Sequence, residues 1–289
     1  MCVMVISQKK KQRNFITSKS ENMENNTSTK IMYLNPVGFS AYDSFFAEMI
    51  KENKSTNSEV HVTSFKSSVG LMDNLEYRTF NALIASDLIK ATRQAASEGF
   101  DAMVIGCFYD PHLLDAREIS GDMVVVGPCH SSIEIALKLS NKFSVIIGQK
   151  KWEQEMHSTI KEYGYEDKLA SFRDVGMNVC EFQEDHDVTA SSLLEASRKA
   201  VEEDFAESII LGCTCEFGFF QTIQNKLEVP VIDPSLAALK QAEQAAYLKK
   251  NFNWKPSRKW SCEAPSEEDI ERFALFPKTY EFGNRIVVK

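Results

Sequence analysis

Two cysteines occupy the same local setting. Cys107 ends the run DAMVIGC at 101–107 and Cys213 ends ESIILGC at 207–213, each directly after a glycine. A lone cysteine at the end of an apolar run reads as a small buried hydrophobe. Two at matching positions read as a pair. One thiolate can take an acidic C–H proton from one face of a carbon while a thiol returns a proton to the other, giving the mirror-image centre. Environment must then set the two protonation states apart. Backbone N–H donors must also meet the enolate-like oxygen that develops. Such chemistry calls for neither a metal nor an organic cofactor. Gly106 and Gly212 remove a side chain beside each thiol and permit close backbone approach. A helix start just beyond each cysteine would favour its thiolate.

The surrounding pattern supplies elements to hold the pair. Apolar runs at 31–35, 59–65, 101–107, 123–127, 143–148, 208–213 and 229–233, with a weaker one at 169–173, predict strands. Helical patterns cover about 41–52, 78–98, 130–140, 151–162, 189–203, 217–227 and 235–249, with a short helix after 108–119, and Gly99 suits a C-cap. Short apolar strands alternating with helices predict an α/β fold with parallel-rich sheets flanked by helices. The chain also repeats: DAMVIGC at 101–107 matches ESIILGC at 207–213, and VVVGP at 124–128 matches PVIDP at 230–234, both 106 residues apart. This predicts two similar lobes, related by an approximate two-fold, with a ligand cleft between them. The expected first lobe is 30–127 plus about 234–250, and the second is 128–233. Residues 1–29 are read as a disordered tail and 251–289 as a C-terminal extension with one helical stretch near 266–274. Trp254, Trp260, Phe273 and Phe276 in that extension are expected to pin it to the body or to a neighbouring subunit.

Composition narrows the class. The 289 residues carry 41 acidic and 33 basic side chains, a formal charge of -8, which leaves no basic stripe for nucleic acid. No apolar run approaches the roughly 20 residues of a membrane-spanning helix. The seven cysteines are dispersed apart from Cys213 and Cys215, and no CxxC pair or histidine cluster completes a zinc set. Free thiols in a reducing, cytoplasmic compartment and a small-molecule substrate are the expectation. The first twenty residues hold five basic side chains and no acid, so a plain tail is preferred there to a transit segment.

The motifs GCFYDPHLLDAREI (106–119) and ILGCTCEFG (210–218) resemble those of the hydantoin and allantoin racemases, within the aspartate/glutamate racemase superfamily. The segments LNP at 34–36 and VPVID at 229–233 fit the same likeness, which covers about 31–249. The resemblance implies two α/β lobes, catalytic Cys107 and Cys213, no pyridoxal phosphate or metal, and a homo-oligomer. It also implies that Asn35 holds a polar group of the ligand and that donors at Phe108, Tyr109, Thr214 and Cys215 surround its carbonyls. Gly70, in the loop 67–77, is expected to touch the ligand from the first lobe. Phe108-Tyr109 replaces the Asn-Thr with which amino-acid racemases hold an α-carboxylate, favouring a ring amide, whereas GCTCE also looks like the amino-acid form. Asp110 reads as a helix cap and Glu216 as a cap or orienter of the second loop; His112, His130 and His186 read as surface or capping residues. Three readings therefore stand. They are racemisation of a 5-substituted hydantoin or allantoin, an amino-acid racemase or related isomerase or decarboxylase on the same scaffold, and a non-catalytic small-molecule-binding protein.

Overall fold

The structure, a computed structural model, describes residues 28–66 and 70–289. Most of the expected tail, and part of the loop 67–77, lie outside the described residues. Each predicted strand and helix is present, with shifts of a few residues at the ends. The first sheet contains β1 (Thr29–Asn35), β2 (Ser58–Phe65), β3 (Ala102–Ile105), β4 (Val124–Val126) and a late strand, β9 (Phe282–Val288), in the order β4-β3-β1-β2-β9. The second contains β5 (Phe143–Ile147), β6 (Leu169–Asp174), β7 (Ser208–Leu211) and β8 (Val231–Ile232), in the order β6-β5-β7-β8. Read from the other edge, the second sheet repeats the order of the first four strands. The pairings among β1–β4 and among β5–β8 are parallel.

Central parallel strands bury both faces, and β1 shows how. Successive side chains point to opposite sides, so Ile31 and Tyr33 pack with α1 (Asp43–Asn53) and α8 (Pro234–Phe252). Met32 and Leu34 pack with α2 (Arg78–Ser97) and α3 (Leu113–Ile119). Gly99, in the left-handed conformation just past α2, closes that helix as its position foretold. In the second sheet, Ile146, Ile209 and Leu211 meet α6 (His186–Glu202) and α7 (Phe220–Leu227). Between the sheets run α4 (Pro128–Leu139) and α8, which pack on one another. The buried side of α8 is built from Ala237, Ala238, Ala242 and Ala246. Their small side chains let α8 lie close on β1, β3 and β4, although it follows the second sheet in sequence. The last helices are α5 (Glu153–Glu162), on the cleft side of β5, and α9 (Glu267–Phe273).

The extension differs from its sequence reading. Besides α9, it forms β9, which pairs antiparallel with β2 from Val60↔Val288 to Phe65↔Phe282 and covers that sheet edge. Arg285 on β9 binds Glu98 beyond the end of α2, with N···O of 2.6 and 3.2 Å. The run FGNRIVV contains Gly, Asn and Arg, so its local strand signal is weak and a tertiary partner decides its state. Of the four aromatics, Phe276 is half-buried with the Arg93 guanidinium over its ring, whereas Trp254, Trp260 and Phe273 are exposed on this chain.

Both Gly-Cys loops leave the sheet by one geometry. Gly106 N–H donates to Leu34 C=O at 2.7 Å, and Gly212 N–H donates to Ile146 C=O at 2.7 Å. A Cβ on Gly212 would lie 2.4 Å from that Ile146 oxygen, so the strand crossing tolerates no side chain. Gly212→Ala is expected to destabilise the fold by about 1–3 kcal/mol in urea unfolding. An unchanged midpoint would show that the loop relaxes without cost.

Candidate active site

Cys107 and Cys213 line one small cavity of about 40 Å³ in the cleft between the two sheets. Its wall also includes Phe108, Tyr109, Gly212 and Thr214 from the two loops, and Leu75, Glu76, Trp152, Met156 and Val179 from elsewhere. The cysteines come from equivalent places, two residues past the ends of β3 and β7. Each then turns the same way. Asp110 N–H donates to Cys107 C=O at 3.0 Å, and Glu216 N–H donates to Cys213 C=O at 3.0 Å.

The expected helix start is not at either sulfur. Helix α3 begins at Leu113 and α7 at Phe220, both beyond the turns. Single backbone donors serve instead. Cys215 N–H points to Cys213 Sγ at 3.4 Å, and Tyr109 N–H bonds Cys107 correspondingly. Burial pushes the Cys107 thiol well above its ordinary range, the Tyr109 N–H opposes that, and the Cys213 sulfur adds to it. Cys213 is raised by its contact with the Cys215 thiol and by burial. Both shifts run toward the protonated thiol.

A buried hydrogen-bond chain fixes one loop against the other. Thr214 Oγ1 donates to Gly106 C=O at 3.1 Å, across the two sheets. Ser235 Oγ, at the start of α8, donates to Thr214 C=O at 3.2 Å, and Tyr33 Oη on β1 donates to Ser235 Oγ at 3.1 Å. Asp110 makes a second tie. Its carboxylate, in a left-handed residue, accepts Cys129 N–H and His130 N–H at the start of α4 and the Tyr163 hydroxyl, each at 2.9 Å. Burial pushes its pKa up to about 6 against those three donors. Asp110 is thus a cap, but of α4 rather than of α3, the helix that follows it in sequence. Gly127 makes this possible, since a Cβ there would lie 2.3 Å from Asp110 Cγ.

The structure brings Cys107, Cys213, Phe108, Tyr109 and Thr214 to the cavity wall, with Cys215 buried directly behind. It does not bring Asn35 or Gly70 there. Asn35 is buried, and its Nδ2 donates to Asp43 Oδ1 at 3.0 Å and Phe39 C=O at 3.4 Å. Gly70 lies in an exposed turn with φ of +67°. The Thr214 hydroxyl is occupied by Gly106. His112 and His130 stand outside the wall, His112 on Asn81 C=O and His130 edge-on against Tyr163.

The sequence reading pointed to the loop 67–77 through Gly70 but not to its Leu75 or Glu76, and it singled out neither Trp152, Met156 nor Val179. They lie on separate segments and converge only through the fold. Glu76 closes the cleft: its carboxylate accepts Val179 N–H at 3.0 Å and pairs with Lys151 Nζ at 3.0 Å. Nearby, Asn81 Nδ2 donates to Glu155 at 2.7 Å, joining α2 to α5. At about 40 Å³ the cavity falls far short of the roughly 300 Å³ of a small-molecule pocket. A small-ring ligand therefore enters only when these contacts part. Among the described residues, no group of three or more His, Cys, Asp or Glu side chains is placed to hold a metal ion, and no helix is long and apolar enough to cross a membrane.

Thr214→Val keeps the shape and removes the donor to Gly106. The buried carbonyl left behind should cost about 1–3 kcal/mol in urea unfolding. Unaltered stability would mean that the two loops are held apart from this bond.

A family model described as Asp/Glu/Hydantoin racemase matches residues 42–242. A hydantoin racemase of Paenarthrobacter aurescens is 30% identical over 241 residues, covering 83% of this chain and 98% of that protein. One from Pseudomonas sp. (strain NS671) is 35% identical over 163 residues, covering 56% of this chain and 65% of that protein. Among solved structures, the allantoin racemase from Klebsiella pneumoniae superposes with a TM-score of 0.77 at 22% identity, covering 86% of this chain and 100% of that one, which speaks to the fold. The two matched Gly-Cys loops sit within the span of the family match, and the chain belongs to the Asp/Glu/hydantoin racemase family, enzymes of the racemase type.

Proposed function

We propose that this protein interconverts the enantiomers of a 5-substituted hydantoin, allantoin included, by cofactor-independent proton transfer between Cys107 and Cys213. The observation that carries the reading is the convergence of both thiols, on matched loops of two sheets, at one cavity. The C5 proton of a hydantoin is flanked by a carbonyl and a nitrogen, so it is acidic enough for a thiolate. One sulfur removes that proton while the other delivers its own to the opposite face. As charge moves onto the neighbouring carbonyl oxygen, backbone N–H groups of the two loops are the donors available to meet it.

The wall also argues for a neutral ring over a free amino acid. Its members include no Lys or Arg, and its one ionisable carboxyl belongs to Glu76. An α-carboxylate placed there would be desolvated with no cationic partner. Leu75, Phe108, Trp152, Met156 and Val179 offer the 5-substituent apolar contact. Asn35 and Gly70 are proposed to reach the ligand only after the cleft opens and rearranges. The substrate is a small molecule, since a net charge of -8 provides no footprint for nucleic acid. We extend the reading to a cytoplasmic homo-oligomer.

The test is to incubate the protein in heavy water with single enantiomers of 5-substituted hydantoins, allantoin and L-aspartate, following optical rotation and deuterium at the reacting carbon. Deuterium should appear in the hydantoin ring together with loss of rotation, and not in aspartate. Cys107→Ser and Cys213→Ser should each lower racemisation by about 10²-fold or more. Either variant can still exchange the proton of one enantiomer. Exchange confined to aspartate would replace this reading with the amino-acid one, and full activity in either variant would remove the two-thiol mechanism.

A further inference from the structure

Trp152 is only 3% exposed and belongs to the cavity wall, yet its indole Nε1–H has no hydrogen-bond partner among the described residues. A buried tryptophan usually spends that N–H, so a donor left over beside a ligand cavity calls for a reason. The other polar groups around the cavity are bonded to one another. The Cys107 and Cys213 carbonyls take the Asp110 and Glu216 N–H groups, and Gly106 C=O takes the Thr214 hydroxyl. The Glu76 carboxylate takes Val179 N–H and Lys151.

Packing holds this indole in one orientation. Strand β5 occupies in its sheet the place of β1 in the other. β1 ends on Asn35, whose amide ties down the next loop through Phe39 C=O and Asp43. β5 is followed instead by Gly148, and the indole fills the space that a side chain would take. A Cβ on Gly148 would collide with Cη2 and Cζ3 of Trp152, the benzo end of the ring. Nε1 stands across the ring from Cζ3, on the side away from Gly148. Phe182 packs steeply against the same ring, with centroids 6.3 Å apart. The backbone is fixed as well, Trp152 N–H donating to Gln149 C=O at 3.0 Å. One half of the molecule thus uses the strand end for an internal tie. The other clears it with a glycine and seats an indole whose N–H is unspent.

We propose that Trp152 is a substrate-binding residue whose indole N–H donates to a ring carbonyl oxygen of the hydantoin. The inference rests on the hydantoin reading above and adds a side-chain donor to the backbone donors of the two loops. An indole N–H donates and cannot accept, so it recognises a C=O of the ring and not one of its N–H groups. It is also neutral, which suits an uncharged imide, whereas a carboxylate buried there would call for a cation. Because the ring is already seated against Gly148 and Phe182, little side-chain freedom is lost when the bond forms. Without ligand the donor stays unpaired, and binding relieves that cost.

The test uses the full chain, labelled with nitrogen-15, and unsubstituted hydantoin, an achiral ring that binds without net conversion. The chain has three tryptophans, and Trp254 and Trp260 are exposed. Their indole resonances are assigned with Trp254→Phe and Trp260→Phe, which leaves the third to Trp152. Hydantoin should move the Trp152 N–H resonance downfield and leave the other two in place. Trp152→Phe keeps an apolar ring and removes the donor. By calorimetry it should weaken hydantoin binding about tenfold, the worth of roughly one good hydrogen bond. A Trp152 resonance that stays put while hydantoin binds would overturn the proposal, and that result does not require Trp152→Phe to fold. Equal hydantoin affinity in Trp152→Phe would overturn it too. Binding that bypasses Trp152 removes this inference alone. No hydantoin binding, together with no deuterium exchange at C5, would remove the hydantoin reading and this inference with it.

Discussion

The site depends first on one buried tie, the hydroxyl of Thr214 on the carbonyl of Gly106, with the Asp110 carboxylate as a second. Each cysteine is anchored to its own sheet by the glycine N–H bonded to a neighbouring strand. Nothing in either anchor fixes one sulfur relative to the other. The Thr214 bond does so, and Ser235 and Tyr33 extend it into the heart of the first sheet. Because both donor and acceptor are out of water, breaking it strands polar groups, which makes the spacing between loops stiff. Helix α8 has the same effect at larger scale. Its alanine face lies on the first sheet while its N-terminus, with Asp233 and Ser235, belongs to the loops of the second.

Much of this was legible in the sequence because the relevant signals are local or repeated. The apolar runs at 31–35, 101–107 and 208–213 are strands buried on both faces, and such strands leave an uninterrupted apolar record. The shared offset of the two Gly-Cys motifs anticipates the shared strand order β4-β3-β1-β2 and β8-β7-β5-β6. Glycine before each cysteine indicated a close backbone approach, and at Gly212 the obstructing atom is a carbonyl oxygen of the adjacent strand.

What the sequence could not convey depends on non-local partners. Asp110 reads as a cap for the helix next in line, but a left-handed turn sends its carboxylate to a helix 18 residues on. The family resemblance implies that Asn35 holds a polar group of the ligand; in this structure Asp43 and the Phe39 carbonyl take its amide, partners that only the fold reveals. Strand β9 has too mixed a composition to announce itself and owes its state to the edge of β2. The far wall of the cavity, from Glu76 to Val179, joins segments whose own patterns mark only loops and helices. Glu216, read as a cap or orienter, is fully buried with no hydrogen-bond partner in good geometry, a setting that only the fold reveals.

The central claim is that two sulfurs address opposite faces of one carbon, and a structure with a ligand whose C5 is trigonal, such as a 5-alkylidene hydantoin, tests it most directly. The account predicts Cys107 Sγ and Cys213 Sγ on opposite sides of the ring, each about 3–3.5 Å from C5. Both sulfurs on one face, or either one walled off from the ring, would contradict it.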